Sequence, residues 1–188
     1  DKLLHIKTMG RDDSQSDQYR YPYEPTPYSV LQRLANTGLI RKNNMLLDLW
    51  RGKGRVDFFL ILPDKMPLLG VEYDERIYEK VMENKKESRI EREGIIFISN
   101  AEEFQLPEQI DCIYFFNPFS VEILRKVMAR IMESYYEHPD RFYVSSINLS
   151  RVPRPYFNMG VGECVLTDTL TFPLIPNILF LLCADCFH

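Results

Sequence analysis

The sequence is poor in the residues that build metal centres and disulfide scaffolds. It has four cysteines and three histidines in 188 residues. Cys112, Cys164, Cys183 and Cys186 are too few, at this length, to act as a disulfide framework. Cys183 and Cys186 have C-x-x-C spacing with His188 nearby, but one such pair cannot close a four-ligand zinc site, and Cys164 is distant in sequence. His5 and His138 belong to no constellation, so no metal site and no nucleophile triad is expected. An excess of positive charge is also lacking. Lys and Arg number 23 against 27 Asp and Glu, a net charge of -4. This leaves no global basic field for duplex nucleic acid, while small molecules, proteins and structured RNA stay open as partners. Long apolar runs are missing too. The most apolar stretch, Phe172–Cys183, contains Pro173 and Pro176 and falls short of the ~20 residues of a membrane span. With no apolar leader at the N-terminus, the expectation is a soluble, cytoplasmic protein. The chain starts at Asp1 and reads as a fragment or a processed product.

What is present is a globular balance of 45% hydrophobic and 27% charged residues, enough for one domain with a sizeable core. Residues 1–18 are polar and charged and read as a loose N-terminal arm. Tyr19–Tyr28 is dense in Tyr and Pro, hence extended. Thr26-Pro27 predicts a helix start, with Thr26 as N-cap and Pro27 at the first helical position. Val30, Leu31 and Leu34 form its apolar stripe, and Gly38 its stop.

Strands and helices then alternate. Strands are expected at Met45–Leu49, Pro67–Tyr73, Ile95–Ser99, Asp111–Phe116 and Arg141–Ser146. Helices are expected at Arg55–Leu62, ending before Pro63, at Asp74–Arg92, and at Val121–Tyr136. The pattern predicts an α/β, Rossmann-like, doubly wound and mostly parallel sheet over residues 19–147. The tail, 148–188, is atypical. From Phe142 onward it carries five of the chain's fifty charged residues and no clear periodicity. An antiparallel hairpin closing the sheet is not assignable there, and one expectation is a change of reading frame or a gene fusion shortly after Arg141.

In open parallel sheets ligands bind at the C-terminal ends of the strands. Asp48 ends the first and is followed by Gly52 and Gly54, whose backbone can approach a ligand closely. A dinucleotide fingerprint needs a third glycine where Asp57 stands, and that acid would repel phosphate. An acid at the strand end suits a ligand with a positive amino group. Glu72 ends the second strand, 24 residues beyond Asp48, near the ~20-residue separation at which an acid reaches ribose hydroxyls. Asn100 follows the third strand with an amide able to pair with an adenine edge. Asn117, Pro118 and Phe119 follow the fourth. Each also has an ordinary reading, as a turn, a cap or a strand terminus.

At this spacing, Asp48, Gly52, Gly54, Glu72, Asn100-Ala101 and Asn117–Ser120 resemble the class I S-adenosylmethionine-dependent methyltransferases. The runs Tyr21–Leu34 and Phe115–Ile131 are similar to a bacterial group of undefined substrate, and the resemblance spans roughly residues 19–140. It implies that Asp48, Gly52 and Gly54 hold the methionine part of S-adenosylmethionine, Glu72 the ribose, and Asn100 with Ala101 the adenine. It implies that Asn117, Pro118 and Phe119 orient an amino group for methylation, although the second proline of the family motif is replaced by Phe119. It makes Tyr23, Glu24 and Thr26 candidates for closing over the cofactor or touching the substrate. One departure bears on activity: Trp50 stands where the family's loop has its first glycine. The alternative is therefore a degenerate, non-catalytic domain that serves as a binding module. A nucleotide-dependent oxidoreductase is a weaker third reading.

Overall fold

The structure is a computed structural model. It describes residues 1–14, 16–36, 38, 40–41, 43–64, 68–88, 95–116, 120–138, 143–147, 163–164 and 178–182, with only the backbone described at 61–64, 95–98, 121, 135 and from 143 onward. Asn117, Pro118, Phe119, Arg141, Cys183, Cys186 and His188 lie outside the described residues.

Four strands form the central sheet: β1 (Leu46–Leu49), β2 (Leu68–Glu72), β3 (Ile95–Ile98) and β4 (Cys112–Tyr114), in the order β3-β2-β1-β4. All three pairings are parallel, with Asp48 registered between Gly70 of β2 and Tyr114 of β4. Parallel neighbours need crossovers, and α2 (Arg55–Asp64), α3 (Glu75–Glu87) and α4 (Val121–Glu137) follow β1, β2 and β4. The order reverses at β1: β2 and β3 extend to one side of it and β4 lies on the other.

Side chains sort by the two-residue period of the strands. Leu46, Leu68, Cys112 and Tyr114 face one way and pack with Val56 and Leu60 of α2 and with Leu31 and Leu34 of α1 (Tyr28–Asn36). Leu47, Leu49, Leu69, Val71, Ile113 and Phe115 face the other way and pack on Ile123, Val127 and Ile131 of α4. Burying each such aliphatic side chain contributes ~1.5–3 kcal/mol, which is why the strands read as continuous apolar runs.

Helix ends depart from the sequence expectations in three places. α1 starts at Tyr28, and the Pro27 carbonyl accepts its first helical bond, from Leu31 N–H at 3.2 Å. The Thr26 hydroxyl does not cap this helix; it bonds the Tyr114 hydroxyl at 2.9 Å. A partner on β4 outcompetes the local cap because both hydroxyls are buried and each needs one. α2 continues through Pro63 to Asp64. α3 ends at Glu87, and Asp74 caps its start by accepting from Arg76 N–H. On its inner face Ile77 and Val81 are joined by the buried amide Asn84, while Tyr78 and Met82 are half-buried.

Residues 1–14, the first part of the segment 1–18 whose composition reads as a loose arm, lie against the sheet's helices. Ile6 and Thr8 are buried. Lys7 N–H donates to Asn84 Oδ1 at 2.7 Å, and Arg55 Nε donates to Thr8 Oγ1 at 2.7 Å. Beyond α4, β5 (Tyr143–Ile147), β6 (Glu163–Cys164) and β7 (Ile178–Leu182) form a second parallel sheet in the order β5-β7-β6. No antiparallel hairpin is formed among the described residues of the tail. Among the described residues, no helix is long and apolar enough to cross a membrane.

Candidate functional site

The turn after β1 is shaped by three alternate residues with positive φ: Trp50 at 102°, Gly52 at 57° and Gly54 at 82°. The two glycines adopt this freely, whereas Trp50 holds a backbone conformation that L side chains rarely take. Two hydrogen bonds enforce it: Trp50 N–H and Arg51 N–H both donate to the Val71 carbonyl, at 3.0 and 3.1 Å. The Trp50 ring packs against the α4-side core, half-buried.

Two buried carboxylates flank this turn. Glu72 accepts three backbone N–H bonds, from Gly52 at 2.8 Å on one oxygen and from Tyr73 and Asp74 at 2.9 and 3.0 Å on the other. Burial pushes its carboxyl up to about 7, and the three N–H bonds oppose the shift. Asp48 is also raised to about 7, first by burial and then by the Glu72 charge, against the pull of Arg51. Asp48 Oδ2 has no hydrogen-bond partner among the described residues. An unpaired buried carboxylate oxygen is costly, and at strand ends it is commonly kept for a ligand.

Arg51 does not neutralise Asp48 by contact. Its Nε donates to Asp57 Oδ2, and its side chain lies flat over Gly70, where a Cβ would come within 2.4 Å of Arg51 Cδ. The Asp57 carboxylate, expected from the sequence to repel phosphate, is therefore balanced by an arginine that spacing alone did not reveal.

Two narrow clefts open beside the turn, each with about 20 Å³ of free volume, room for one water-sized group. The first lies where the strand order reverses, between Asp48 and Trp50 on the β1 side and Tyr114 and Phe116 on the β4 side. Tyr23, Glu24 and Thr26 also line it, together with the cations Arg51 and Arg55. The second is lined by Glu72, Tyr73 and Asp74, with Asp12 above them. Tyr23 and Trp50 line both.

Asn100 and Ala101 line neither cleft. Asn100 sits just beyond β3, where Ser99 N–H donates to the Glu72 carbonyl at 3.0 Å, but its amide is engaged with Glu102 at 3.0 Å. Ala101 is buried in the core. Local sequence does not mark Arg51 or Tyr114 as part of this site, nor does Asn84 stand out by residue type. The signal for Asn84 is its place three residues after Val81 on the inner stripe of α3.

No protein-family model matches this sequence, and no curated protein matches it either. Similarity appears among solved structures. An RNA methyltransferase from Salinibacter ruber, crystallised with S-adenosyl-L-homocysteine, aligns at a TM-score of 0.53 and 19% identity over 59% of this chain and 71% of that one. The YcgJ protein of Bacillus subtilis aligns at 0.48 and 20%, over 56% and 45%. Geranyl diphosphate C-methyltransferase from Streptomyces coelicolor A3(2) aligns at 0.42 and 13%, over 48% and 34%. This chain thus spans less than half the length of the last two. The alignment with the Salinibacter ruber enzyme, together with the β3-β2-β1-β4 parallel sheet, shows that the chain has the Rossmann-like fold of class I methyltransferases.

Proposed function

We propose that this chain is a methyltransferase that binds S-adenosylmethionine across the turn after β1. One observation carries the reading: Asp48, with an unpartnered buried oxygen, lines a cleft at the reversal of strand order, and Glu72 lines the neighbouring one. Open α/β sheets bind their ligands at this position. When bound, S-adenosylmethionine supplies a sulfonium methyl that an acceptor's lone pair takes as the carbon–sulfur bond breaks.

The residues present fit such a ligand. Asp48 would take its ammonium group. Glu72 keeps acceptor capacity beyond its three N–H bonds for ribose hydroxyls. Gly52 and Gly54, without Cβ atoms, would lie beneath the methionine chain, and Asn100 with Ala101 would reach the adenine once the Asn100–Glu102 contact is exchanged. The acceptor reading, an amino group aligned by Asn117, Pro118 and Phe119, rests on the sequence motif. Alignment is the main demand of this chemistry, because the sulfonium is already a good leaving group.

A specific observation favours a second reading, a non-catalytic domain of the same fold: Trp50 holds φ at 102° where a glycine would be relaxed, and its ring borders both clefts. Calorimetry with S-adenosylhomocysteine separates the two. Micromolar binding, ~-8 kcal/mol, supports the first. No heat from the wild type, restored by Trp50→Gly, supports the second. No heat from either protein sinks the cofactor reading.

A further inference from the structure

The structure places a side chain of the protein itself in the cradle of the glycine turn. The Tyr23 ring lies on Gly52 so closely that a Cβ at Gly52 would stand 2.1 Å from Tyr23 Cε2. Tyr23 is buried, its hydroxyl donates to the Thr8 carbonyl at 2.8 Å, and Lys53 Nζ sits 4.8 Å from the centre of its ring. The same ring forms a wall of both clefts and leaves each only water-sized room. A ligand long enough to reach from Asp48 to Glu72 does not fit while Tyr23 stays there.

We propose that residues 16–23, paired back to Asp12, are a self-occluding strap, with Tyr23 as a plug that must leave Gly52 before the cofactor can span the two carboxylates. This rests on the cofactor reading above. The strap is fastened in three places. Towards its end, Ser120 N–H donates to the Tyr19 carbonyl at 2.6 Å, and Arg20 pairs with Glu102 at 3.7 Å. At its base, Asp12 and Tyr23 exchange backbone bonds, with Asp12 N–H donating at 3.1 Å and Tyr23 N–H at 2.8 Å. At its rim, Lys80 donates to Asp12 at 3.1 Å and Arg76 to Ser14 at 2.8 Å, both from α3. The rim contacts are solvent-exposed and weakly stabilising, so release of Tyr23 turns on its buried bond to Thr8 and on the Asp12–Tyr23 bridge. The closed form lowers apparent affinity in proportion to the fraction of molecules that are open.

The test uses the full chain as wild type, Tyr23→Phe and Tyr23→Ala, titrated with S-adenosylhomocysteine. Trp50 is the only tryptophan and borders both clefts, so its fluorescence reports binding and its rate. Tyr23→Ala is expected to bind at least tenfold tighter than wild type, mostly through faster association, with Tyr23→Phe in between because it loses only the bond to Thr8. In wild type, the amides of Asp12 and Tyr23 should exchange hydrogen faster when saturated with ligand. If Tyr23→Ala does not fold, Tyr23→Phe and the exchange measurement decide the matter. Equal affinities with unchanged exchange overturn the strap alone. No binding by these three chains or by Trp50→Gly overturns the cofactor reading and the strap with it, whereas binding by Trp50→Gly alone overturns the strap, because Trp50 then closes the site.

Discussion

The indole of Trp50 and the ring of Tyr73 lie nearly parallel, with planes 3° apart and centroids separated by 6.3 Å. The Arg20 guanidinium lies 4.5 Å from the centre of the Tyr73 ring, which ties the segment before α1 to the same stack. The stack and the core contacts of Trp50 offset the cost of its positive φ, which is of order 1–3 kcal/mol for a non-glycine residue.

Trp50→Gly removes that backbone strain and that packing together. Its stability is therefore expected to stay within ~1 kcal/mol of wild type, since the two terms have similar size and opposite sign. Its affinity for S-adenosylhomocysteine should rise at least tenfold as the indole, which shares the wall of both clefts with Tyr23, is removed. Denaturant titration and calorimetry check both. A loss of several kcal/mol would show that Trp50 is a structural residue whose φ carries little strain.

The sheet was legible because parallel strands covered on both sides need apolar runs: β1 and β2 are buried throughout, Leu46, Leu47 and Leu49 are broken only by Asp48, Leu68, Leu69 and Val71 only by Gly70, and 95–98 reads Ile-Ile-Phe-Ile. Asp48 and Glu72 stood out as acids at the ends of such runs, and Tyr23, Glu24 and Thr26 do gather at the cleft with Asp48. Thr26 reads as a cap because local spacing cannot show that Tyr114, 88 residues away, offers it a buried hydroxyl. The same limit hid Arg51: its partner Asp57 is near in sequence, but the bare surface of Gly70 that admits its side chain belongs to the next strand. Residues 1–18 read as loose because contacts such as that of Thr8 with Arg55 are single long-range hydrogen bonds without periodicity.

Asp48→Asn is expected to change how stability depends on pH. The folded carboxyl is raised to about 7, above its unfolded value, so between the ordinary carboxylate range and about 7 the folded state holds a proton the unfolded chain has released. Stability is then fully present at low pH and falls as pH rises through that window, by up to ~1.4 kcal/mol per pH unit for one group. Glu72, also raised to about 7, acts in the same direction and remains in the variant. Asp48→Asn should show the shallower fall, in denaturation curves measured from about pH 4.5 to about pH 8. Parallel pH profiles for the two proteins would contradict the raised value for Asp48.

The Arg51–Asp57 pair is almost fully buried, with side chains 5% and 1% exposed. Burial pulls the arginine down to about 10, and the charges of Asp48 and Glu72 hold it up. Arg51→Met strands a buried carboxylate and should cost ~3–5 kcal/mol. Adding Asp57→Leu removes the stranded charge, so the double variant should be more stable than Arg51→Met alone. A double-mutant cycle by chemical denaturation measures the difference. Simple additivity would mean that the two side chains are not coupled.

Asn84 joins three parts of the chain that are far apart in sequence. Its Oδ1 accepts from Lys7 N–H at 2.7 Å, and its Nδ2 donates to the Lys53 carbonyl at 3.0 Å, next to Gly54. Asn84→Ala leaves a donor at Lys7 and an acceptor at Lys53 without this partner, at a cost of ~1–3 kcal/mol for each group that stays buried. A total loss of ~2 kcal/mol is expected, because Lys7 is exposed and its N–H can turn to water. Asn84→Asp separates the two halves of the bridge: it keeps the acceptor for Lys7 and loses the donor for Lys53. If the amide pins the glycine turn to α3, Asn84→Asp should speed hydrogen exchange around residues 52–54 and spare the Lys7 amide. Equal protection of both regions in Asn84→Asp and wild type would show that α3 packing through Val81 fixes the turn without the amide.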